Sequence, residues 1–363
     1  MVYRLVPFSL WFPFAANLPE VSPMSKPKVL YVPTEGHTQR VFRDEVFRRM
    51  LDEFDVAVND TGRELEPEEV AERMAGRVAL VTGWGSRGLS EALFDRAPDL
   101  KIVTHSAGSP KFLATEEMIE KQLIPRGITI FSANQAIGMN VAESAVGMLL
   151  MTSRRWIDHN QYYHETAKWG SPDLPRNGQY LRGCQLGVVS ASAVGRELIR
   201  LLQGWDIRFL CYDPYLSDEA AKALGVERVE LNELFERADH VTVHAPKLPA
   251  TDNLIGRDQL RRLKDGAALV NTSRGSVIDE AALIEEAQTG RIFVALDVTE
   301  PEPPAPDSPL QHLPNVIVLP HVSGAGNYGY FKIGETTLKA LEDCFAGRPV
   351  EGAVNLANWA ITA

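Results

Sequence analysis

The chain has 363 residues, of which 45% are hydrophobic and 23% charged, and its formal net charge at pH 7 is −11. This length and composition are typical of a soluble globular protein with two domains, and the negative charge excludes general binding to nucleic acids or anionic membrane surfaces. The three cysteines, Cys184, Cys211 and Cys344, lie far apart without metal-ligand spacing. They predict no disulfide framework and no metal site, and they favour a reducing, cytoplasmic location.

Residues 1–25 form an apolar, aromatic stretch that four prolines interrupt. A signal peptide needs a basic segment, a continuous apolar core and a small-residue cleavage site, and a membrane span needs about 20 mostly apolar residues. The stretch meets neither requirement, so we expect residues 1–25 to be an extension outside the fold. A misassigned upstream start is one explanation, because Met24 directly precedes the first clear strand. A native peptide that begins before Met24, found by mass spectrometry, would contradict that explanation.

Short apolar runs alternate with helical patterns in the next part of the chain. The runs typical of strands are residues 28–32, 55–58, 78–82, 101–104 and 129–132, and the helical patterns are 38–53, 67–74 and 90–96. This alternation predicts a parallel sheet, in which the loops at the carboxyl ends of the strands face a ligand. The loops concerned are residues 83–86 and 106–109.

Two segments separate this first part from the second. Residues 140–155 form a long apolar helical pattern, which we expect to bridge two domains. Residues 162–180 are aromatic, contain two prolines and are predicted to be irregular. They form either a packed surface loop or an arm that contacts a second subunit, and we favour the arm.

Residues 185–215 have the order of a dinucleotide-binding unit. An apolar strand, a small-residue turn and an amphipathic helix are followed by a second apolar strand, 207–212, which stops at Asp213. A carboxylate at that position accepts hydrogen bonds from both ribose hydroxyls and repels a 2′-phosphate. Asp213 therefore favours NAD over NADP.

The turn itself departs from the G-x-G-x-x-G fingerprint, because only the last glycine, Gly195, is present. Ser190 and Ser192 stand at the first two glycine positions, which permit the tight turn and the close approach to the pyrophosphate. The helix N-terminus still offers free N–H groups to a phosphate. From the turn alone, a dinucleotide site and a purely structural turn both remain open, and Asp213 favours the site.

Strand and helical patterns continue to the C-terminal region. The strands of this second part are predicted at residues 186–189, 207–212, 240–244, 267–271, 292–296 and 316–319. Six strands around one reversal of strand order are the size of a full dinucleotide-binding domain. The last helical pattern, 330–345, indicates that the chain returns to the first domain.

Three later segments carry candidate chemistry at the ends of strands. Arg274 follows a buried strand and has the fork of donors that matches a carboxylate, although a surface arginine paired with Glu280 is the alternative. Acidic residues between prolines, as at 296–303, are usually solvated. A histidine such as His321 suits proton exchange near neutral pH, and an adjacent glutamate would favour its protonated form and fix its tautomer.

These segments resemble the D-isomer-specific 2-hydroxyacid dehydrogenase family. NTSRG at 271–275, LDVTEPEP at 296–303 and PHVSGA at 320–325 are similar in order and spacing to its signature segments, and YDPY at 212–215 agrees. The resemblance runs from about residue 28 to 355. It implies an α/β fold of two Rossmann-like domains with parallel sheets, in which the NAD-binding domain (139–322) is inserted into a discontinuous flavodoxin-like substrate-binding domain (26–138 and 323–363).

The resemblance also implies hydride transfer between NAD(H) and a small 2-hydroxy or 2-oxo acid, usually in a homodimer. Arg274 would bind the substrate carboxylate, His321 would exchange the proton and Glu302 would pair with His321, while Trp84, Ala107 and Gly108 would contact the substrate. The cofactor would contact Ser190, Ser192, Ala193, Val194, Gly195, Asp213, His244, Pro246, Thr272, Ser273, Asp297 and Gly324.

Other functions remain open at this point. A phosphoglycerate-type substrate needs a second cation, for which Arg87 and Lys111 are candidates, whereas Trp84 makes the substrate wall more apolar. Formate dehydrogenases of the superfamily pair the histidine with glutamine, and Glu302 argues against that activity. A non-enzymatic NAD(H)-sensing corepressor would keep the same residues, and the two serines of the turn also allow a relic without cofactor. Because the sequence stops at residue 363, we expect no separate regulatory domain.

Overall fold

The computed structural model describes residues 25–174 and 178–362, so the predicted extension lies, apart from Ser25, outside the described residues. Twelve parallel strands form two sheets. The first sheet contains β1 (Lys28–Tyr31), β2 (Asp55–Val58), β3 (Ala79–Thr82), β4 (Ile102–His105) and β5 (Thr129–Ser132). The second sheet contains β6 (Gln185–Val189), β7 (Arg208–Tyr212), β8 (Val226–Arg228), β9 (His240–Val243), β10 (Ala268–Asn271), β11 (Phe293–Leu296) and β12 (Val316–Val318).

Helices cover both faces of the sheets, which is why the inner strands are apolar on both sides. The helices are α1 (Glu35–Val41), α2 (Asp44–Glu53), α3 (Pro67–Arg73), α4 (Glu91–Arg96), α5 (Glu116–Met118), α6 (Ile124–Arg126), α7 (Asn134–Ser153), α8 (Trp156–Thr166), α9 (Ala193–Leu201), α10 (Asp218–Leu224), α11 (Leu231–Arg237), α12 (Arg257–Arg262), α13 (Glu280–Gln288) and α14 (Asn327–Phe345). A π-helical turn, Ile119–Leu123, joins α5 to α6, and 3₁₀ turns are found at Pro249–Thr251, Gly275–Val277, Pro309–Gln311 and Leu356–Ile361. Within the described ranges, none of the helices combines the length and the apolar composition that crossing a bilayer requires.

The strand orders confirm the predicted fold class. The first sheet has the order β2-β1-β3-β4-β5, which is the flavodoxin-like order. The second has the order β8-β7-β6-β9-β10-β11-β12, the doubly wound order of dinucleotide-binding domains with one strand added at its end. The order reverses between β6 and β9, so the loops after these two strands leave a crevice there. The prediction of six strands was short by one, because β8 has only three residues, two of them exposed charges.

Helices α7 and α14 connect the two sheets. Ala136, near the start of α7, belongs to the core around the first sheet, whereas Met148 and Leu149 belong to the core of the second. Helix α14 packs on α1, α2 and β4, which confirms that the chain returns to the first part of the molecule. The domain boundaries themselves stay predictions.

Three helix predictions differ from the structure. Residues 38–53 are not one helix, because Phe42 and Arg43 are extended between α1 and α2 and the buried Phe42 ring contacts α14 near Gly334. The bridging helix begins at Asn134 rather than at residue 140 and ends at Ser153. Residues 162–166 belong to α8, so the segment predicted as irregular begins later.

Candidate active site

A cleft of about 540 Å³ opens between the carboxyl ends of the two sheets. Loops of the first sheet contribute Trp84, Gly108 and Lys111, and loops of the second contribute Ala193, Thr272, Arg274, Asp297 and His321. Parallel strands bring their carboxyl ends to one edge, which is why residues far apart in the chain converge there.

His321 and Glu302 form a hydrogen-bonded pair at this cleft. Nδ1 of His321 lies 2.6 Å from Oε1 of Glu302, and both side chains are a little less than half exposed. The bond to Glu302 fixes the imidazole tautomer and leaves Nε2 as the ring atom available for proton exchange. His321 has a φ of 53°, a left-handed conformation in which its backbone N–H donates to the Asp297 carbonyl.

The loop that carries His321 is held from two sides. Asp297 is buried, and its carboxylate oxygens accept hydrogen bonds from the backbone N–H groups of Val322 (2.8 Å) and Ser323 (2.9 Å). From α7, Ser144 Oγ donates to the Ser323 carbonyl, and Asn140 Nδ2 donates to the Gly324 and Gly326 carbonyls. Asp297 therefore positions the His321 loop at the same time as it lines the cleft. Sequence reasoning missed Asn140 and Ser144, because their partners lie about 180 residues away.

Arg274 is presented by a tight turn after β10. Asn271 Nδ2 donates to the Arg274 carbonyl, and Asn271 Oδ1 accepts from the Ser273 backbone, so the side chain of Asn271 closes the turn. Gly275 is required there, because a Cβ would lie 2.1 Å from the Thr299 carbonyl group. Among the described residues no carboxylate lies within ion-pair distance of Arg274, and Glu280 instead accepts the Glu300 backbone N–H. The alternative pairing with Glu280 is therefore not observed.

The turn after β6 contains the two serines. Ser190 has a φ of 78°, which explains why glycine is usual at this position, and Ser192 caps α9 by accepting from the Gly195 N–H (3.4 Å). Gly195 cannot carry a side chain, because a Cβ would lie 2.3 Å from the Ser190 carbonyl oxygen. Asp213 Oδ2 accepts from the Ala191 N–H (2.9 Å) and from Ser190 Oγ (3.3 Å). The carboxylate thus supports the turn, and the N-terminus of α9 stays open to the cleft.

Two substitutions in this turn should act in opposite directions. We expect Ser190→Gly to raise the free energy of unfolding by up to about 1 kcal/mol. The substitution removes the cost of holding a serine in the left-handed conformation, and this cost exceeds the free energy that glycine contributes to the unfolded chain through its greater conformational freedom. Gly195→Ala should lower the free energy of unfolding and weaken NADH binding, because its Cβ displaces the Ser190 carbonyl. Urea unfolding curves of both variants would measure the two effects, and destabilisation by Ser190→Gly would contradict the assignment of strain.

The first sheet contributes a buried polar support beneath the loop 106–109. Ser106 Oγ donates to the Thr82 carbonyl and must therefore accept from His37 Nε2, which lies 2.9 Å away. Burial lowers the pKa of His37 to about 4, so the ring is neutral at pH 7. Ser132 Oγ donates to the Gly108 carbonyl at 2.6 Å, and Gly108 lines the cleft, whereas Ala107 is fully buried and does not.

Aromatic rings form the wall next to this loop. The Trp84 ring packs edge-on against Tyr330 (5.4 Å between centroids) and His37 (5.3 Å), and both Trp84 and Tyr330 line the cleft. Tyr330, from α14, was missed by sequence reasoning, because its place at the cleft depends on the return of the chain to the first sheet. Trp84 and Tyr330 make this part of the cleft wall aromatic, and the role of Trp84 in contacting a substrate stays a prediction.

His244 lies on the opposite side of the cleft. Its ring nitrogens lie 3.0 Å from Thr242 Oγ1 and 3.4 Å from Thr272 Oγ1, and the side chain is buried. Burial lowers its pKa to about 3, so His244 is a neutral part of the wall. Pro246, Thr272, Ser273 and Gly324 also line the cleft.

A second pocket, of about 370 Å³, adjoins the cleft and shares Ser192, Ala193 and Pro246 with it. Ser190, Asp213 and Tyr215 line its far end. The two pockets thus form one continuous path along the N-terminus of α9. Of the predicted cofactor residues, Gly195 alone lines neither pocket, and it acts through the close packing of the turn.

The chain is similar to known proteins in sequence and in fold. The family model described as D-isomer specific 2-hydroxyacid dehydrogenase, NAD binding domain, matches residues 146–323. A glyoxylate reductase of Korarchaeum cryptofilum is 34% identical over 252 residues, which are 69% of this chain and 74% of that protein. The chain belongs to the D-isomer specific 2-hydroxyacid dehydrogenase family. A solved 2-hydroxyacid dehydrogenase of Ketogulonicigenium vulgare matches with a TM-score of 0.69 and 26% identity, covering 91% of this chain and 99% of that one.

Other members of the family are longer. The D-3-phosphoglycerate dehydrogenase of Archaeoglobus fulgidus is 35% identical over 232 residues, which are 64% of this chain and 44% of that protein. The chain spans about half the length of the curated phosphoglycerate dehydrogenases that it matches.

The NAD-binding domain of this family member has room for its cofactor. The open N-terminus of α9 suits a pyrophosphate, because its free N–H groups and helix dipole favour an anion. Asp213 at the far end suits a ribose, and the cleft beside Asp297 and His321 remains for the nicotinamide. The residues present therefore fit NAD, although two of the fingerprint glycines are serines.

Proposed function

We propose that the chain is an NAD-dependent 2-hydroxyacid dehydrogenase that works as a 2-oxo acid reductase. One observation carries the proposal: Arg274, which has no acidic partner among the described residues, shares a cleft with the His321–Glu302 pair. A guanidinium without a carboxylate partner attracts a substrate carboxylate, and a histidine that a glutamate holds through Nδ1 can donate a proton from Nε2. Both are needed for a substrate that has a carboxylate next to a carbonyl.

The chemistry of the reaction assigns a role to each side chain. Bound NADH supplies the hydride that the carbonyl carbon receives. Arg274 would bind the substrate carboxylate and stabilise the negative charge that develops on the carbonyl oxygen. His321 would donate a proton from Nε2 to that oxygen, and Glu302 would stabilise the protonated ring before the transfer. Asp297 would keep His321 in place through the backbone of residues 322–323.

NADH fluorescence titration, followed by addition of 2-oxo acids to the same sample, tests the proposal. We expect saturable NADH binding and then oxidation of NADH by glyoxylate, hydroxypyruvate or a bulkier 2-oxo acid. Binding without oxidation of NADH would contradict the proposal and support an NAD(H)-sensing protein. No binding at all would mean that Ser190 and Ser192 have closed the cofactor site.

Asp213 should decide between NADH and NADPH. We expect Asp213→Asn to reduce the preference for NADH, measured as a ratio of kcat/KM values, at least about tenfold, because a carboxylate beside the 2′-phosphate is strongly repulsive. The asparagine oxygen keeps an acceptor for the Ala191 N–H, so the turn after β6 should remain intact, whereas the Tyr215 N–H loses its acceptor on the other carboxylate oxygen. An unchanged ratio would remove Asp213 as the reason for NAD specificity.

We further propose that the protein is cytoplasmic and that its domains have the predicted boundaries. We also propose that two copies of the chain form a homodimer through α8 and the segment after it. Trp169 is 91% exposed and Tyr180 61%, an unusual exposure for large aromatic side chains. Trp169→Ser should therefore shift the mass measured by light scattering from dimer towards monomer. Ile124→Ser, at an exposed apolar residue of α6, is the control. A dimer that persists in Trp169→Ser would exclude a major contribution of this side chain.

A further inference from the structure

Three cationic side chains of the described residues line the cleft, and one of them, Lys247, has an acidic partner within these residues. Lys247 lies 3.5 Å from a carboxylate oxygen of Glu300. In the described parts of the chain, no carboxylate lies within 4 Å of either Arg274 or Lys111. Asp297, the acidic residue on the cleft wall, already accepts two backbone N–H groups. Counted over the described residues, the cleft thus holds one more unneutralised cation than a 2-oxo monocarboxylate requires.

Lys111 is fixed in place rather than free in solvent. Its Nζ donates to the backbone carbonyl of Trp359 and lies 5.3 Å from the centroid of the Trp359 ring. Trp359 is buried in the core of the first sheet, so it anchors the 3₁₀ turn Leu356–Ile361 beside the cleft. A carbonyl and an aromatic ring orient the ammonium group without neutralising its charge. Two of its three N–H donors remain for a ligand.

Arg87, the other candidate for a second cation, has a different environment. It does not line the cleft, and its guanidinium lies 3.1 Å from a carboxylate oxygen of Glu66. The structure therefore distinguishes Lys111 from Arg87, although both were candidates for the second cation in the sequence.

We propose that Lys111 binds a second anionic group, a carboxylate or a phosphate, at the end of the substrate remote from the carboxylate that Arg274 binds. This inference rests on the proposed 2-oxo acid reductase activity. Trp84 and Tyr330, on the same cleft wall, would contact the carbon chain of such a substrate. The preferred substrates are then 2-oxo acids with two anionic groups.

Pairs of substrates that differ in the terminal group test the assignment. 2-Oxoglutarate is compared with 2-oxopentanoate, and phosphohydroxypyruvate with hydroxypyruvate, so the two pairs distinguish a carboxylate from a phosphate. The wild-type protein should have the higher kcat/KM for the dianionic member of at least one pair. Lys111→Met, which keeps the length of the side chain, should lower that value about 10- to 100-fold, the effect of losing a hydrogen bond to a charged group, and leave the monoanionic member unchanged. Lys111→Arg should restore most of the preference, and Arg87→Met should leave it intact.

A purely structural role for Lys111 would give a different result. Loss of the contact with Trp359 alone would lower kcat/KM equally for both members of each pair, and that result would overturn the proposal. So would a wild-type protein that turns over monoanionic 2-oxo acids and has no preference for dianions. Calorimetric titration of the NADH complex with the same compounds provides a readout that does not require turnover. If no compound is reduced but the dianions bind more tightly to wild type than to Lys111→Met, the reductase activity fails while the anion site stands.

Discussion

Replacement of His321 by asparagine is expected to lower kcat about 10²- to 10⁴-fold, the usual contribution of a general acid–base group. The Kd for NADH should stay unchanged, because His321 acts on the carbonyl oxygen and its loop is held by Asp297 and α7. Asparagine is the informative replacement. It tolerates the left-handed backbone of this position better than most residues and cannot exchange a proton at neutral pH.

The controls for this prediction separate chemistry from folding. His321→Ala should lose turnover as well, but it adds the cost of a left-handed alanine, about 1–2 kcal/mol, so its thermal stability must be compared with that of His321→Asn. Glu302→Gln keeps a hydrogen-bond acceptor for Nδ1 without the charge and should lower kcat less than His321→Asn does. Pre-steady-state and steady-state oxidation of NADH by a 2-oxo acid are the measurements. Turnover near the wild-type rate in His321→Asn would exclude His321 as the proton donor.

Replacement of Arg274 by alanine should have the second large effect, and it should fall on the substrate. Two hydrogen bonds to a carboxylate, at about 1.5–3 kcal/mol each, predict a loss of about 10²- to 10⁴-fold in kcat/KM. NADH affinity should be largely preserved, because the guanidinium reaches a predicted cofactor residue only through the Ser273 carbonyl, and Asn271 holds the Ser273 backbone independently. The backbone of Arg274 is extended, so alanine fits without strain.

Lysine at this position provides an intermediate case. Arg274→Lys keeps the charge but loses the planar fork, so it should recover only part of kcat/KM. Lys247→Met serves as the matched control, since Lys247 lines the same cleft but has Glu300 as its partner. Collapse of NADH affinity in Arg274→Ala would show that the role assigned to Arg274 is wrong.

Local patterns were enough to predict most of the architecture. Apolar runs of four to six residues followed by small or polar turns located eleven of the twelve strands, because buried parallel strands must be apolar on both faces. The NTSRG, LDVTEPEP and PHVSGA segments each follow a strand whose carboxyl end lies at the same edge of the sheet. Their order therefore predicts that Arg274, Glu302 and His321 lie close together. The missed strand β8 and the break between α1 and α2 have weak local patterns, and the packing of neighbouring elements determines them.

The sequence by itself determined the fold class, the family and the side chains that we propose carry the chemistry, because these depend on residue types at short, ordered spacings. Tertiary structure decided which charges are neutralised: Arg87 has Glu66, Lys247 has Glu300, and neither Arg274 nor Lys111 has a carboxylate partner in the described residues. It also decided that Asn140 and Ser144 hold the His321 loop and that Trp359 holds Lys111. The physical reason is that an ion pair or hydrogen bond depends on a separation of a few ångströms, and residues far apart in the chain reach that separation only when the two sheets and the returning C-terminal segment pack together.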